Sequence, residues 1–487
     1  MSSNIIKQAA WIALGSLCSF GFGIISSMIL SRYFDKDDYG TYKQVLYVYN
    51  TLLTVFTLGL PRAYSYFLPR IPIEQAHSLI RKISNLFIIL GLLFSLLLFL
   101  GADAIAIVLR NPNLTNGIRW FSVVPLLLLP TMGLEGILAT YQKSMYMAVY
   151  MVLTRVVMLI FVVAPIIIWK GGYIHAIIGF DIASIISFFL AVYLKYIPVK
   201  NVKKEKVDIT YNEIFKFSFP LLFASLWGIV ISSADQFFVS RYYGAKTFAD
   251  FANGSMDLPF IGMIIGTTTT VLSPVFSKMN YDKLNPRTDI LPIWESAFKK
   301  SAMLIYPFVI YCLFFADIVM KVLYGGIYET SAVYFRLRLL TNFFTLVAFA
   351  PLLINTGKVK LYSNVHMYGA IILVLLEFFV VKTIDSATAV CAVSSICTIG
   401  RIMVFLIVIS KYFEVKIYEL FPYRLIFFII MPSSLILFLE RIIIVDYLEI
   451  ELLTSLVISL VIYGILFLAY CRFVKIDYLS ILKQLRR

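Results

Sequence analysis

Two stretches decide how this chain is organised: SRYFDKDDYGTY (Ser31–Tyr42) and SRYYGAKTFADF (Ser240–Phe251). At a constant offset of 209, Ser31, Arg32 and Tyr33 return as Ser240, Arg241 and Tyr242. Aromatic meets aromatic at Phe34/Tyr243, Tyr39/Phe248 and Tyr42/Phe251, and Gly40 meets Ala249. Each stretch follows a long apolar run and leads into another that ends in proline, Pro61 in one case and Pro274 in the other. A three-residue match arises by chance. One placed after corresponding runs, with the same aromatic spacing, marks an internal duplication.

Working outward, a membrane span needs about 20 apolar residues. Runs between charged or Pro/Gly-rich breaks fall at 9–31, 42–61, 83–102, 118–140, 145–168, 172–194, 214–239, 252–276, 301–321, 339–356, 363–381, 386–409, 425–440 and 449–471. The expected fold is an all-α integral membrane protein of about fourteen transmembrane helices. Six spans is an even number, so the two six-span halves are parallel repeats, and the last two spans stand outside them. The halves are 1–194 and 214–409, joined by a basic linker at 195–213, with the extra pair in 410–487. Composition agrees: 61% of residues are hydrophobic, 14% are charged, and mean hydropathy is +0.89. A soluble, secreted, fibrous or disordered protein would need far more charge. The five cysteines lie in apolar runs without metal-ligand spacing and read as small buried hydrophobes.

The formal net charge of +15 suits nucleic acid in a soluble protein, but in a membrane protein it first reflects cytoplasmic loops rich in Lys and Arg. With both termini inside, the inner segments hold 26 of the 42 Lys and Arg, and the outer loops with their adjoining span edges hold 13. Three, Arg155, Lys216 and Arg401, fall within spans. Both termini are therefore expected in the cytoplasm. No inter-span segment exceeds about two dozen residues, and no Walker A sequence occurs. That excludes ATP hydrolysis and leaves no long external loop for a polymerase or ligase, so no enzymatic activity is expected.

The order of SRYFDKDDYG, TLGLPRAYSYFLPR, FPLLFASLWGIVISSADQFFVSRYYGA and PVFSKM resembles the polysaccharide (O-antigen and capsule-type) flippases of the multidrug/oligosaccharidyl-lipid/polysaccharide exporter superfamily. The resemblance covers essentially the whole chain. It implies two bundles, spans 1–6 and 7–12, around a central cavity that opens alternately to each side. It also implies an undecaprenyl-pyrophosphate-linked oligosaccharide as passenger, moved to the outer leaflet of the bacterial inner membrane. Partners implied are membrane lipid and the polysaccharide polymerase and chain-length machinery, with no nucleic acid, acting on a monomer. No cofactor is expected beyond a coupling H⁺ or Na⁺. The alternative within the superfamily is a cation-coupled multidrug or other lipid exporter. The lipid II flippase group resembles a protein with several arginines in its first helix, whereas 9–31 carries no charge here.

Charges inside spans are costly and face a cavity or a partner. Arg155 and Asp181 lie mid-span in the first half, Glu377 and Arg401 in the second, at nearly equivalent repeat positions with the charges exchanged. Two readings stand: a structural ion pair in each half, or arginines that face the cavity and attract pyrophosphate while the acids balance them. Lys216, at an inner span end, either snorkels to headgroups or meets the pyrophosphate at the cavity mouth. Arg62 and Arg70, after span two, either anchor the inner face or capture the anionic head first. Asp235, in SSADQF, binds a coupling cation or a sugar, or caps locally. Glu135, in the Pro- and Gly-broken PLLLLPTMGLEG, is a second candidate for proton or sodium coupling, or a buried paired acid. Tyr47, Tyr49, Tyr64 and Tyr66 stack on sugar rings or serve packing. The linker PVKNVKKEKVD reads as solvated and lipid-facing.

Overall fold

The computed structural model describes residues 2–347, 349–420, 423–448, 450–476 and 478, and among these there is no strand. The helices are α1 (Ser2–Tyr33), α2 (Lys36–Phe56), α3 (Pro61–Phe67), α4 (Ile73–Leu109), α5 (Leu114–Phe121), α6 (Val124–Leu128), α7 (Leu134–Thr140), α8 (Ser144–Trp169), α9 (Tyr173–Tyr196) and α10 (Tyr211–Gly254). There follow α11 (Pro259–Tyr281), α12 (Leu291–Phe314), α13 (Ala316–Tyr324), α14 (Ser331–Thr341), α15 (Ala350–Asn355), α16 (Val359–Thr383), α17 (Ala387–Phe413), α18 (Tyr423–Glu440) and α19 (Leu452–Phe473). Two compact units result, Met1–Ala249 and Asp250–Arg487.

Ten helical segments among the described residues are long and apolar enough to cross a bilayer, and the bent α10 makes an eleventh. Of the other runs, 42–61 falls on the more polar α2 and on α3, 252–276 overlaps the continuous α11, and 339–356 is interrupted. In 339–356 the helix stops at Thr341 and resumes only at Ala350. The chain is thus an all-helical, multi-pass membrane protein.

The faces of α4 show what its solvent is. Phe87, Gly91, Phe94, Leu98 and Ala102 are buried, while Ile89, Leu93, Leu96 and Leu100 stand outward, Leu100 at 76% exposure. A soluble helix puts charge on its outer face. This one puts aliphatic side chains there, as lipid demands.

The duplicated motif breaks the helix at equivalent positions. In the first copy α1 ends at Tyr33, and Asp35 caps α2, its carboxylate accepting from the N–H groups of Asp37 and Asp38 at 2.9 and 2.8 Å. In the second copy the residue at the same offset is Gly244, whose φ of 77° and ψ of 179° interrupt α10. A capping aspartate and a glycine at positive φ thus serve one purpose. The two copies also pack together within the first unit. A Cβ at Gly40 would lie 2.0 Å from the Ala245 carbonyl oxygen, so only glycine admits this approach.

The prolines after the motif are not equivalent. Leu58 and Gly59 take positive φ ahead of Pro61, which starts α3 at its first turn. Position 274 is preceded by Val-Leu-Ser, with no glycine, and α11 runs through it. Downstream, Thr210 and Glu213 form a reciprocal capping box at the start of α10, with bonds of 2.6 and 3.2 Å. The linker before it is fastened rather than freely solvated: Lys82 Nζ donates to the Ile209 carbonyl at 2.6 Å, and Glu205 N–H to the Glu74 carbonyl at 2.9 Å.

Candidate functional site

In the first unit α1, α2 and α8 enclose a pocket of about 200 Å³, closed on one side by Phe180 of α9. Two cations line it, Arg155 of α8 and Lys43 of α2. Arg155 Nε donates to Ser19 Oγ at 2.9 Å and Lys43 Nζ to Ser27 Oγ at 3.1 Å, so one face of α1 holds both. Lys43 also lies 5.1 Å from the Tyr39 ring centre. Neither cation has a carboxylate partner among the described residues. The guanidinium and ammonium keep donors unspent, which suits an anion. Lys43 escapes sequence reading because it stands at the edge of a run, where a lysine passes for a loop residue.

The expected pairing of Arg155 with Asp181 is absent. Phe180 is the α9 residue that reaches the pocket, and one step round a helix is about 100°, so Asp181 points elsewhere. Its Oδ1 is buried without a hydrogen-bond partner. The second half also lacks the expected pair. Arg401 crosses α16 at Gly369, where a Cβ would lie 3.3 Å from its Cδ. Glu377 is eight residues away, about 12 Å along the helix. Arg401 is half-buried beside Tyr362, His366 and Cys397, and Glu377 is wholly buried.

The remaining candidates divide by place. Arg62, Arg70 and Lys216 are all exposed, and the structure brings α3 and the start of α10 together. Arg70 lies over the Tyr66 ring at 3.4 Å, and Tyr66 stacks on Phe217 at 4.1 Å, so Lys216 is one residue from this layer. Glu135 is exposed on the first turn of α7, just after the left-handed Gly133. Asp235 is wholly buried, its Oδ1 accepting from the Gln236 N–H at 2.7 Å. It lies beside a polar seam between α2 and α10. There Gln44 donates to Ser240 at 2.8 Å, Asn111 donates to Gln44 at 2.6 Å, and Thr51 donates to Ser233 at 3.3 Å.

The four tyrosines differ in exposure. Tyr49 stacks on Phe94, Tyr64 is wholly buried, Tyr47 donates to the Ser233 carbonyl at 3.3 Å while packing on Phe248, and Tyr66 is exposed beside Arg70 and Phe217. A further unforeseen cation is Lys195, 1% exposed, whose amine donates to Tyr64 Oη at 3.2 Å and Ser84 Oγ at 3.4 Å. At the edge of the charge motif, burial and the neighbouring Asp35 hold the Asp38 carboxyl above its usual value, and Asp38 accepts from the Tyr173 N–H at 3.4 Å.

The second unit carries a different cavity. An apolar groove of about 590 Å³ runs beside α18, lined by Phe343, Phe344, Met403, Phe427, Ile430 and Met431 among others.

Solved structures share this fold. The lipid II flippase MurJ in an inward closed conformation matches at a TM-score of 0.69 and 16% identity, covering 95% of this chain and 99% of its own. An inward-facing multidrug resistance MATE family transporter of the MOP superfamily matches at 0.62 and 16%, covering 81% of this chain and 95% of its own. A MOP superfamily transporter from Pyrococcus furiosus matches at 0.57 and 15%, covering 86% and 96%. No curated protein matches the sequence. The family model described as polysaccharide biosynthesis protein matches residues 5–280, more than half of the chain. The chain therefore belongs to the polysaccharide biosynthesis protein family, and it has the fold of MurJ and the MATE transporters.

Proposed function

We propose that the protein moves an undecaprenyl-pyrophosphate-linked oligosaccharide from the cytoplasmic to the outer leaflet of the bacterial inner membrane by alternating access. The observation that carries this is the Arg155/Lys43 pocket: two cations tied to serines, with no carboxylate paired to them among the described residues. A pyrophosphate spends several charge-assisted bonds on such a pair, each stronger than a neutral hydrogen bond. A cationic drug would meet repulsion there. Arg62, Arg70 and Lys216 form a first landing place for the head, and Arg401 is a further candidate cation of the second unit. The groove beside α18 suits a polyprenyl tail, because its rings and aliphatic side chains offer hydrocarbon to hydrocarbon.

Outward passage of a diphosphate opposes an inside-negative potential by about 2.3 kcal/mol per charge per 100 mV. Counter-movement of H⁺ or Na⁺ offsets this, with Asp181 its candidate carrier and Asp235 and Glu135 in reserve. Glu377 is assigned to charge balance near Arg401. The unpartnered Asp181 Oδ1 also favours a second reading, a cation-coupled exporter of small cations.

Proteoliposomes with undecaprenyl-pyrophosphate-linked oligosaccharide in the donor leaflet separate the two. Protein-dependent appearance of the lipid in the other leaflet supports the flippase. Transport of a lipophilic cation without any lipid movement contradicts it.

A further inference from the structure

The terminal helix pair carries an acid that recognition of an anion does not use. Glu440, the last residue of α18, is 5% exposed, and neither carboxyl oxygen has a hydrogen-bond partner among the described residues. Its electrostatic neighbours are Tyr311 of α12 and Tyr463 of α19. Both hydroxyls have a backbone carbonyl to donate to: Tyr311 that of Leu456 at 2.7 Å, Tyr463 that of Pro307 at 3.1 Å. Ser459 and Ser433 complete the same hydroxyl clusters, at 3.0 and 2.9 Å. With their protons directed there, these tyrosines have none left to give Glu440. A carboxylate can only accept, whereas a carboxylic acid has a proton to give.

The nearby cations are engaged elsewhere. Arg441 grips Asp317 of α13 at 2.9 and 2.7 Å and bonds the Phe314 carbonyl. Arg336 of α14 adds a 2.9 Å contact to the same Asp317. The packed helices also carry Glu295, Lys299, Lys300, Tyr306 and the buried Cys312 thiol on α12, and Tyr470, Arg472 and the buried Cys471 thiol on α19. A carboxylate placed in such surroundings neutralises rather than remain charged and unpaired. Directly after Glu440 the chain leaves the α-helix for a π-helical stretch, Arg441–Tyr447, an irregularity that is rare and gathers at functional positions.

We propose that Glu440 is a proton-binding site of the transport cycle. It holds a proton in the conformation seen here and yields it when α18 shifts against α12 and α19 and water reaches the carboxyl. Tighter proton binding in one state couples the proton to the change of state. Only an O–H bond forms and breaks, and the proton comes from and returns to water. The role in the cycle rests on the alternating-access reading above, but the protonation itself does not.

The test is infrared spectroscopy of the full chain in lipid vesicles at neutral pH. A protonated-carboxyl carbonyl band should be present, lost in Glu440→Gln and kept at a shifted position in Glu440→Asp. Glutamine matches the neutral acid in shape, so Glu440→Gln should keep the thermal stability of the parent. Identical carbonyl regions in parent and Glu440→Gln overturn the proposal. With undecaprenyl pyrophosphate as probe, an imposed pH gradient should speed the parent about tenfold and leave Glu440→Gln unresponsive; equal responses overturn the coupling. Absence of any flipping by the parent ends the functional reading above, while the infrared result still decides the protonation of Glu440.

Discussion

Arg155 and Arg401 are the mid-span arginines of the two halves of a duplicated chain, on non-equivalent helices of the repeat, and their surroundings differ in kind. Arg155 shares a pocket with a second cation and is oriented by a serine on a neighbouring helix. Arg401 lies along a glycine of its neighbour among aromatic and thiol groups. Each half keeps one mid-span arginine, but on a different helix and with a different task. The first half presents a ready anion site, and the second presents a single cation whose stem is packed.

That asymmetry ranks the expected losses. Arg155→Ala should have the largest effect, since charge-assisted bonds are worth about 1.5–3 kcal/mol each. The apparent affinity for undecaprenyl pyrophosphate should fall about 10–100-fold, measured by initial flipping rate against probe concentration. Lys43→Ala should cost about tenfold in the same assay, and the double variant should lose less than the product of the two, because both cations act on one headgroup. Arg401→Ala should cost about threefold or less at equal protein level; a loss as large as that of Arg155→Ala would make the halves equivalent. Ser19→Ala removes one orienting bond worth about 1 kcal/mol, a loss of about fivefold that Ser19→Thr should largely restore. Gly369→Ala is the mildest. Its new Cβ meets only the flexible Arg401 Cδ at 3.3 Å, so the thermal midpoint should move by the equivalent of less than about 1 kcal/mol.

Much of this architecture is legible in one sequence, for physical reasons. Lipid tolerates little charge and spans have a minimum length, so hydropathy alone marks helices such as α4 and α16. The duplicated SRY motif is legible because it marks a helix break at matching positions, Asp35 and Gly244. The straightness of spans is less so. Pro61 and Pro274 look alike in the chain, and only Gly59 beside one of them turns it into a break.

Side-chain partners resist such reading. Spacing places Arg155 and Asp181 mid-span on consecutive helices, but a rotation of about 100° separates Asp181 from Phe180, the residue that closes the pocket. Lys43, Lys195 and Glu440 stand near the ends of apolar runs, where charge is ordinary; only packing shows which are withdrawn from solvent. A charge at a span end deserves the same question as a charge at its centre.

The central claim is that Arg155 and Lys43 together receive a pyrophosphate. Its most direct test is translocation of undecaprenyl-pyrophosphate-linked oligosaccharide by proteoliposomes holding equal amounts of parent and Arg155→Ala/Lys43→Ala protein. The account predicts rapid translocation by the parent and about background rate for the double variant. Parent-like translocation by the double variant would contradict it.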